Sequence, residues 1–201
     1  MGAPLQGETM STTEYVSVFV AIIIGLAVAD LLLSLHKLLR AGPRVKWDWL
    51  TPSLSLAMLL LTVSFWWVSH NWYQGVRTMS VAAFLPDLAV FMLLFLTVAA
   101  VLPDDVPADG MDLRDYYLSS SRYVWTLIAL SLASSTLLIS FRFPPEGAGL
   151  LGWLAARGDN LVVDAAAVVP IFTRRLWIHA LAIALILASS LASSVMLSIG
   201  G

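Results

Sequence analysis

The sequence predicts an all-α polytopic membrane protein, a single bundle of six transmembrane helices. Three observations lead there. Hydrophobic residues make up 59% of the 201 residues and charged residues only 12%, with a mean hydropathy of +0.86, so the polar coat of a soluble domain is missing. The apolar residues come in runs of about 18 to 25, the length an α-helix needs to cross a hydrocarbon layer of about 30 Å. Short charged loops separate the runs, and lysine and arginine collect in every second loop.

One domain, 1–201, takes up the whole length, with spans at about 15–39, 49–72, 81–102, 118–141, 158–174 and 176–199. Pro43 ends span one. Pro86 is expected in the first turn of span three, where proline is tolerated. Span five is the irregular one. Leu161 to Phe172 alone rises about 18 Å at 1.5 Å per residue, too little to cross. Either one helix runs unbroken from about Gly147 with Arg157, Asp159 and Asp164 inside it, or an interfacial helix leads into a short, tilted span. The cost of burying Arg157 and Asp159 at the bilayer centre favours the second.

Orientation follows from the basic residues. Lys37, Arg40, Arg44 and Lys46 lie between spans one and two, Arg114 and Arg122 flank the start of span four, and Arg174 and Arg175 separate spans five and six. With six spans these share one side, leaving Arg77, Arg142 and Arg157 elsewhere, and the positive-inside rule puts both termini outside the cytoplasm of a bacterial inner membrane. Ala27-Val28-Ala29 resembles a signal-peptide cleavage box, but the apolar run continues to Leu35 and ends in a basic cluster, so it reads as a retained span.

Several function classes are disfavoured. A net charge of −2 with no basic patch gives no reason to expect a nucleic-acid partner, and the absence of cysteine removes disulfides, thiolate metal sites and thiol catalysis. No Gly-x-Ser-x-Gly elbow, phosphate loop or His-Glu-x-x-His pair occurs. The expectation is a non-enzyme without a cofactor.

Small residues recur at four-residue spacing at Ala180, Ala184, Ala188 and Ala192 in span six and at Ala21, Gly25 and Ala29 in span one. Such stripes are read as helix-packing faces, within the chain or towards a homo-oligomer or a larger membrane complex. Trp47, Trp49, Trp66, Trp67, Trp72, Tyr73, Tyr116, Tyr117, Tyr123 and Trp125 sit near predicted interfaces, where aromatic rings anchor at headgroup depth.

The sharpest chemical signal is a pair of intramembrane carboxylates. Asp30 precedes Arg40 by ten residues, and Asp164 precedes Arg174 by ten, so both are expected about 15 Å from the same end of their helices. Two acids at one depth could share a proton or hold a cation; alternatively each is tied to a base. Asp30, Ser34 and Lys37 share a helical face, so Lys37 could reach Asp30, and Arg157 could reach Asp164. His36 and His179, near the same surface, are weaker candidates for ligating a haem iron or a metal. The acidic loop Asp104, Asp105, Asp109, Asp112 and Asp115 lacks calcium-loop spacing and reads as solvated, with Asp112 an N-cap. Asp87 reads as a helix-terminal carboxylate.

Gly25-Leu26 to Arg40 (GLAVADLLLSLHKLLR), Arg44-Val45-Lys46-Trp47-Asp48-Trp49 and Asp112-Leu113-Arg114-Asp115-Tyr116-Tyr117 together resemble a family of small polytopic bacterial inner-membrane proteins of unknown function. The resemblance runs from span one to span four, supports the membrane class and implies nothing catalytic. Three functions are expected to compete: a channel or carrier for a cation or proton built on Asp30 and Asp164, a non-catalytic accessory subunit of a larger membrane complex, and a haem- or quinone-binding redox protein using His36 and His179.

Overall fold

A computed structural model describes residues 12–73, 78–145 and 149–196. Arg77, Gly147 and the end of span six beyond residue 196 lie outside the described residues, as does the polar segment before residue 12. Six α-helices occupy the described chain: α1 (Thr12–Ala41), α2 (Leu50–Trp72), α3 (Val81–Ala99), α4 (Leu113–Arg142), α5 (Leu150–Val168) and α6 (Leu176–Met196). The protein is all-α, and four helices, α1 to α4, are long and apolar enough to cross a membrane. The large apolar side chains on their outer faces, among them Leu26, Leu33, Leu130 and Leu137, call for a lipid environment. In α6 the described apolar stretch, Leu176–Ala192, is shorter, and α5 carries Arg157, Asp159 and Asp164.

The helices pack as a closed ring. Going round it, α1 neighbours α3, α3 neighbours α4, α4 neighbours α5, α5 neighbours α6, α6 neighbours α2, and α2 returns to α1. A further contact between α2 and α4 crosses the ring. The core lies along this crossing, where Leu54, Ala57 and Met58 of α2, Leu94 and Val98 of α3, Val124, Trp125 and Ile128 of α4 and Ile183 and Ile186 of α6 are buried together.

Span five does not divide into an interfacial helix and a separate short span. From Leu150 to Val168 it is one helix, followed by a 3-10 turn over Val169–Phe172. The physical reason is that Arg157 is not stranded in hydrocarbon. Its Nη2 donates to the carbonyl oxygens of Phe143 at 2.7 Å and Ile139 at 3.3 Å, at the C-terminal end of α4, where a cation is favoured. Span three begins at Val81, as expected, but Pro86 does not lie in its first turn. Ser80 caps α3 by accepting from the Ala83 N–H, so Pro86 falls beyond the first turn. There it removes the donor that would reach the Ala82 carbonyl.

The small-residue stripes turn away from the bundle. Ala184, Ala188 and Ala192 of α6 and Ala21, Gly25 and Ala29 of α1 are exposed, whereas α6 buries the face carrying His179, Ala182, Ile183, Ile186 and Ser190. The helix contacts are sealed instead by hydroxyls. Thr97 of α3 and Ser131 of α4 are hydrogen-bonded at 2.7 Å, and the Thr51 hydroxyl of α2 donates to the Leu113 carbonyl of α4 at 3.2 Å.

One end of the ring is closed by the loops after α1 and α3. Val45 pairs with Met111 and Lys46 with Asp112 in a two-residue parallel bridge, β1 (Val45–Lys46) to β2 (Met111–Asp112). Asp112 then caps α4, accepting from the Arg114 and Asp115 N–H groups at 2.9 and 3.4 Å, as its sequence position implies. Gly110 makes the approach possible. Its φ is +96°, and a Cβ there would lie 2.6 Å from the Arg44 carbonyl oxygen. Gly110→Ala is therefore expected to lower the unfolding free energy by about 1–3 kcal/mol, read by denaturant titration in detergent. Unchanged stability would show that the bridge does not constrain the loops.

Candidate functional site

Three groups of charged and polar side chains stand out within the ring, and they differ in how fully they are satisfied. The first, at the end of the ring opposite the β bridge, joins three helices. Asp87 of α3 is fully buried. Its Oδ2 accepts from the Tyr73 hydroxyl just beyond α2 at 2.9 Å and from the Arg142 guanidinium in the last turn of α4. The guanidinium also lies over the Tyr73 ring, 5.9 Å from its centre. Burial, and then the Asp87 carboxylate, push the Tyr73 phenol well above its ordinary range, so it remains a donor. Asp87 is thus not a helix-terminal cap. It lies beyond the first turn of α3 and neutralises Arg142, one of the basic residues on the side opposite the main cluster. Its Oδ1 is buried without a partner among the described residues.

The second group is a fully satisfied chain between α4 and α6. Trp125 Nε1–H donates to Tyr117 Oη at 3.0 Å, Tyr117 Oη and His179 Nδ1 are 2.8 Å apart, and His179 Nε2 is 2.9 Å from the Thr173 carbonyl oxygen. A carbonyl only accepts, so Nε2 carries the proton, and in the neutral ring Nδ1 accepts from Tyr117. Tyr117 and Trp125, expected at headgroup depth, are buried against His179, both ring contacts being edge-on. His36 is exposed on α1, while both nitrogens of the fully buried His179 are engaged. The two histidines are not brought together as a ligand pair.

The third group lines a partly open cavity of about 160 Å³ among the helices. Five of the helices contribute, and α1 does not. The polar lining is Ser64 from α2, Ser131, Ser135 and Thr136 from α4, Asn160 and Asp164 from α5, and Ser189 and Ser190 from α6. Leu61, Phe65, Val68, Leu94, Leu132 and Ile186 supply apolar wall. The Ser135 hydroxyl donates to the Ser131 carbonyl at 2.8 Å and the Ser64 hydroxyl to the Ser190 carbonyl at 3.4 Å. The Ser135 oxygen, having donated its hydrogen, can still accept. Thr136 is the side-chain hydrogen-bonding neighbour of Asp164. No Lys or Arg pairs with Asp164 among the described residues.

The remaining residues singled out in the sequence lie elsewhere. Asp30 is half-buried on α1, away from the cavity, and no hydrogen bond or ion pair joins it to another described residue. Since α1 packs on α3 and α2, and α5 on α4 and α6, the two acids occupy different sectors of the ring. Ser34 is buried in α1. Lys37 does not reach back to Asp30. Its Nζ donates to the Asp104 carbonyl at 2.7 Å and pairs with Asp105 at 3.1 Å, because an exposed ammonium is better hydrated at the loop surface than inside the helix row. Arg157 reaches α4 carbonyls and not Asp164.

Arg142→Met is expected to destabilise the protein by about 3–5 kcal/mol, since it strands the buried Asp87 carboxylate. The double variant Asp87→Leu with Arg142→Met is expected to recover most of that loss. Unfolding in detergent checks both, and additive losses would contradict the pairing.

In comparisons with known proteins, the chain matches no protein-family model, no curated protein and no solved structure; a functional reading therefore rests on the site itself.

Proposed function

We propose that the protein is a non-enzymatic carrier or channel for a small monovalent cation, the proton included, with Asp164 as the acid of an intramembrane polar path. The observation that carries this reading is the cavity. A carboxyl group faces hydroxyl and amide side chains from several helices, inside a bundle whose outer surface is apolar. An ionisable group at membrane depth is costly. Asp87 and Arg142 offset that cost by pairing with each other, and Arg157 by binding carbonyls at a helix end, while Asp30, half-buried on α1, does not line this cavity. Asp164 instead borders a space large enough for a few waters, in which oxygen lone pairs accept and hydroxyls donate. That is the chemistry of an ion or proton path.

In this reading all six helices cross the bilayer, the bridge end faces the cytoplasm of a bacterial inner membrane, and both termini lie outside. The basic residues Arg40, Arg44, Lys46, Arg114, Arg122, Arg174 and Arg175 support that orientation. Asp164 carries the path alone, because α1 and Asp30 stand outside the cavity.

The test is flux through the purified protein in liposomes under an ion or pH gradient. Asp164→Asn, which keeps shape and hydrogen bonding but not the titrating acid, is expected to lower flux at least tenfold, a loss of about 1.4 kcal/mol or more of barrier stabilisation. Asp30→Asn is expected to leave it within twofold. Equal flux in wild type and Asp164→Asn, with both proteins folded, would remove Asp164 from the path.

A further inference from the structure

Resting on that reading of the cavity, we infer that the species it passes is the proton, and that Arg157 is the residue that keeps metal cations out. Two independent features of the cavity lead there.

The first is the donor set. A hard metal cation gives up its water only for a full shell of oxygens, supplied by several carboxylates or by rings of free carbonyls. The cavity offers a single carboxyl group, that of Asp164. Its other side-chain oxygens belong to serine, threonine and asparagine, neutral groups that do not balance the charge of a dehydrated metal ion. Among the described residues no cluster of three or more His, Cys, Asp or Glu side chains stands together. A proton needs only one lone pair. It forms an O–H bond with an Asp164 oxygen, neutralising the acid, and on release that bond breaks with its electrons left on the oxygen.

The second is a fixed positive charge at one end. On α4 the cavity lining runs from Ser131 to Ile139, and the Ile139 carbonyl is bound by the Arg157 guanidinium at 3.3 Å. Phe143, at the end of α4, holds the same Nη2, so the charge is anchored and not free to swing aside. Arg157 precedes Asp164 by seven residues on α5, about 10 Å along the axis. A guanidinium does not lose its charge in a protein. A metal cation, which stays charged at every point of the path, is repelled throughout; a proton bound to Asp164 is carried as a neutral acid.

The experiment uses the full-length protein in liposomes and follows two readouts side by side. One is an internal pH dye under an imposed pH gradient with the voltage clamped by valinomycin. The other is uptake of radioactive sodium and rubidium ions. Wild type is expected to pass protons and to take up neither metal above empty liposomes. Arg157→Gln is expected to raise metal-ion uptake on the order of tenfold, the factor of a unit charge about 10 Å away at an effective dielectric of about 20. Arg157→Lys, which keeps the charge, is expected to keep metals out. Sodium or rubidium uptake by wild type that vanishes in Asp164→Asn would overturn the proton assignment and leave the carrier reading standing. Flux of neither protons nor metals through folded wild type would overturn both. Metal exclusion unchanged in Arg157→Gln would overturn the role of Arg157, and the wild-type comparison stands even if that variant does not fold.

Discussion

Arg142 leaves the last turn of α4 and closes on the fully buried carboxylate of Asp87, while Tyr73 donates to the same oxygen. The three groups come from just beyond α2, the second turn of α3 and the last turn of α4, so this contact fixes how those helices meet at the end opposite the β bridge. A charge removed from water is tolerable only when a partner and hydrogen bonds surround it. Once Asp87 and Arg142 are committed to each other, the register of α3 against α4 is set. Further along the same helix pair, Thr97 then meets Ser131. Arg157 obeys the same constraint with different partners, since the terminal carbonyls of α4 give it acceptors and α5 runs on unbroken.

Against that background Asp164 stands apart. Asp87, Arg142 and Arg157 meet opposite charges or helix-end carbonyls, whereas Asp164 meets Thr136 and a cavity of mixed polar and apolar lining. The ring arrangement produces this space. Contact between α2 and α4 closes the centre, and beside it serine and threonine replace the leucine and isoleucine that would fill the gap. Short hydroxyl side chains hydrogen-bond back to their own helices and leave room, whereas branched apolar ones would pack it dry.

Much of the fold is legible in the sequence because length and hydropathy are set by the solvent. Apolar runs bounded by Pro43 and by the basic loops announce α1, α2 and α3, while α4 begins at Leu113 and not at about Leu118, a start that Asp112 marks by the usual capping chemistry. Partners are far less legible. The sequence places Asp87 near a helix terminus but not beside Arg142, since fifty-five residues separate them and only the packing of α3 on α4 joins them. Equal depth suggested that Asp30 and Asp164 belong together; depth says nothing about angle around a ring, and α1 turns out to be the helix that misses the cavity. Small-residue spacing on α1 and α6 marked faces that point outward, because four-residue periodicity identifies a stripe without saying which way it faces. The signal that did mark the cavity was the serine-rich, charge-bearing character of α4, α5 and α6 taken together, which reads as packing when each helix is considered alone.

A polar path requires water to reach the Asp164 cavity, and the chain, having no cysteine, lends itself to a direct measurement. A single Ser135→Cys on the cavity wall and a single Leu137→Cys on the exposed apolar face of α4 are treated in intact membranes with a small, neutral, water-soluble methanethiosulfonate, and the labelling rates are compared. Reaction needs a hydrated thiolate. Ser135→Cys is expected to label readily while Leu137→Cys stays protected by lipid. Equal protection at both positions would mean a dry bundle, and would contradict the polar path.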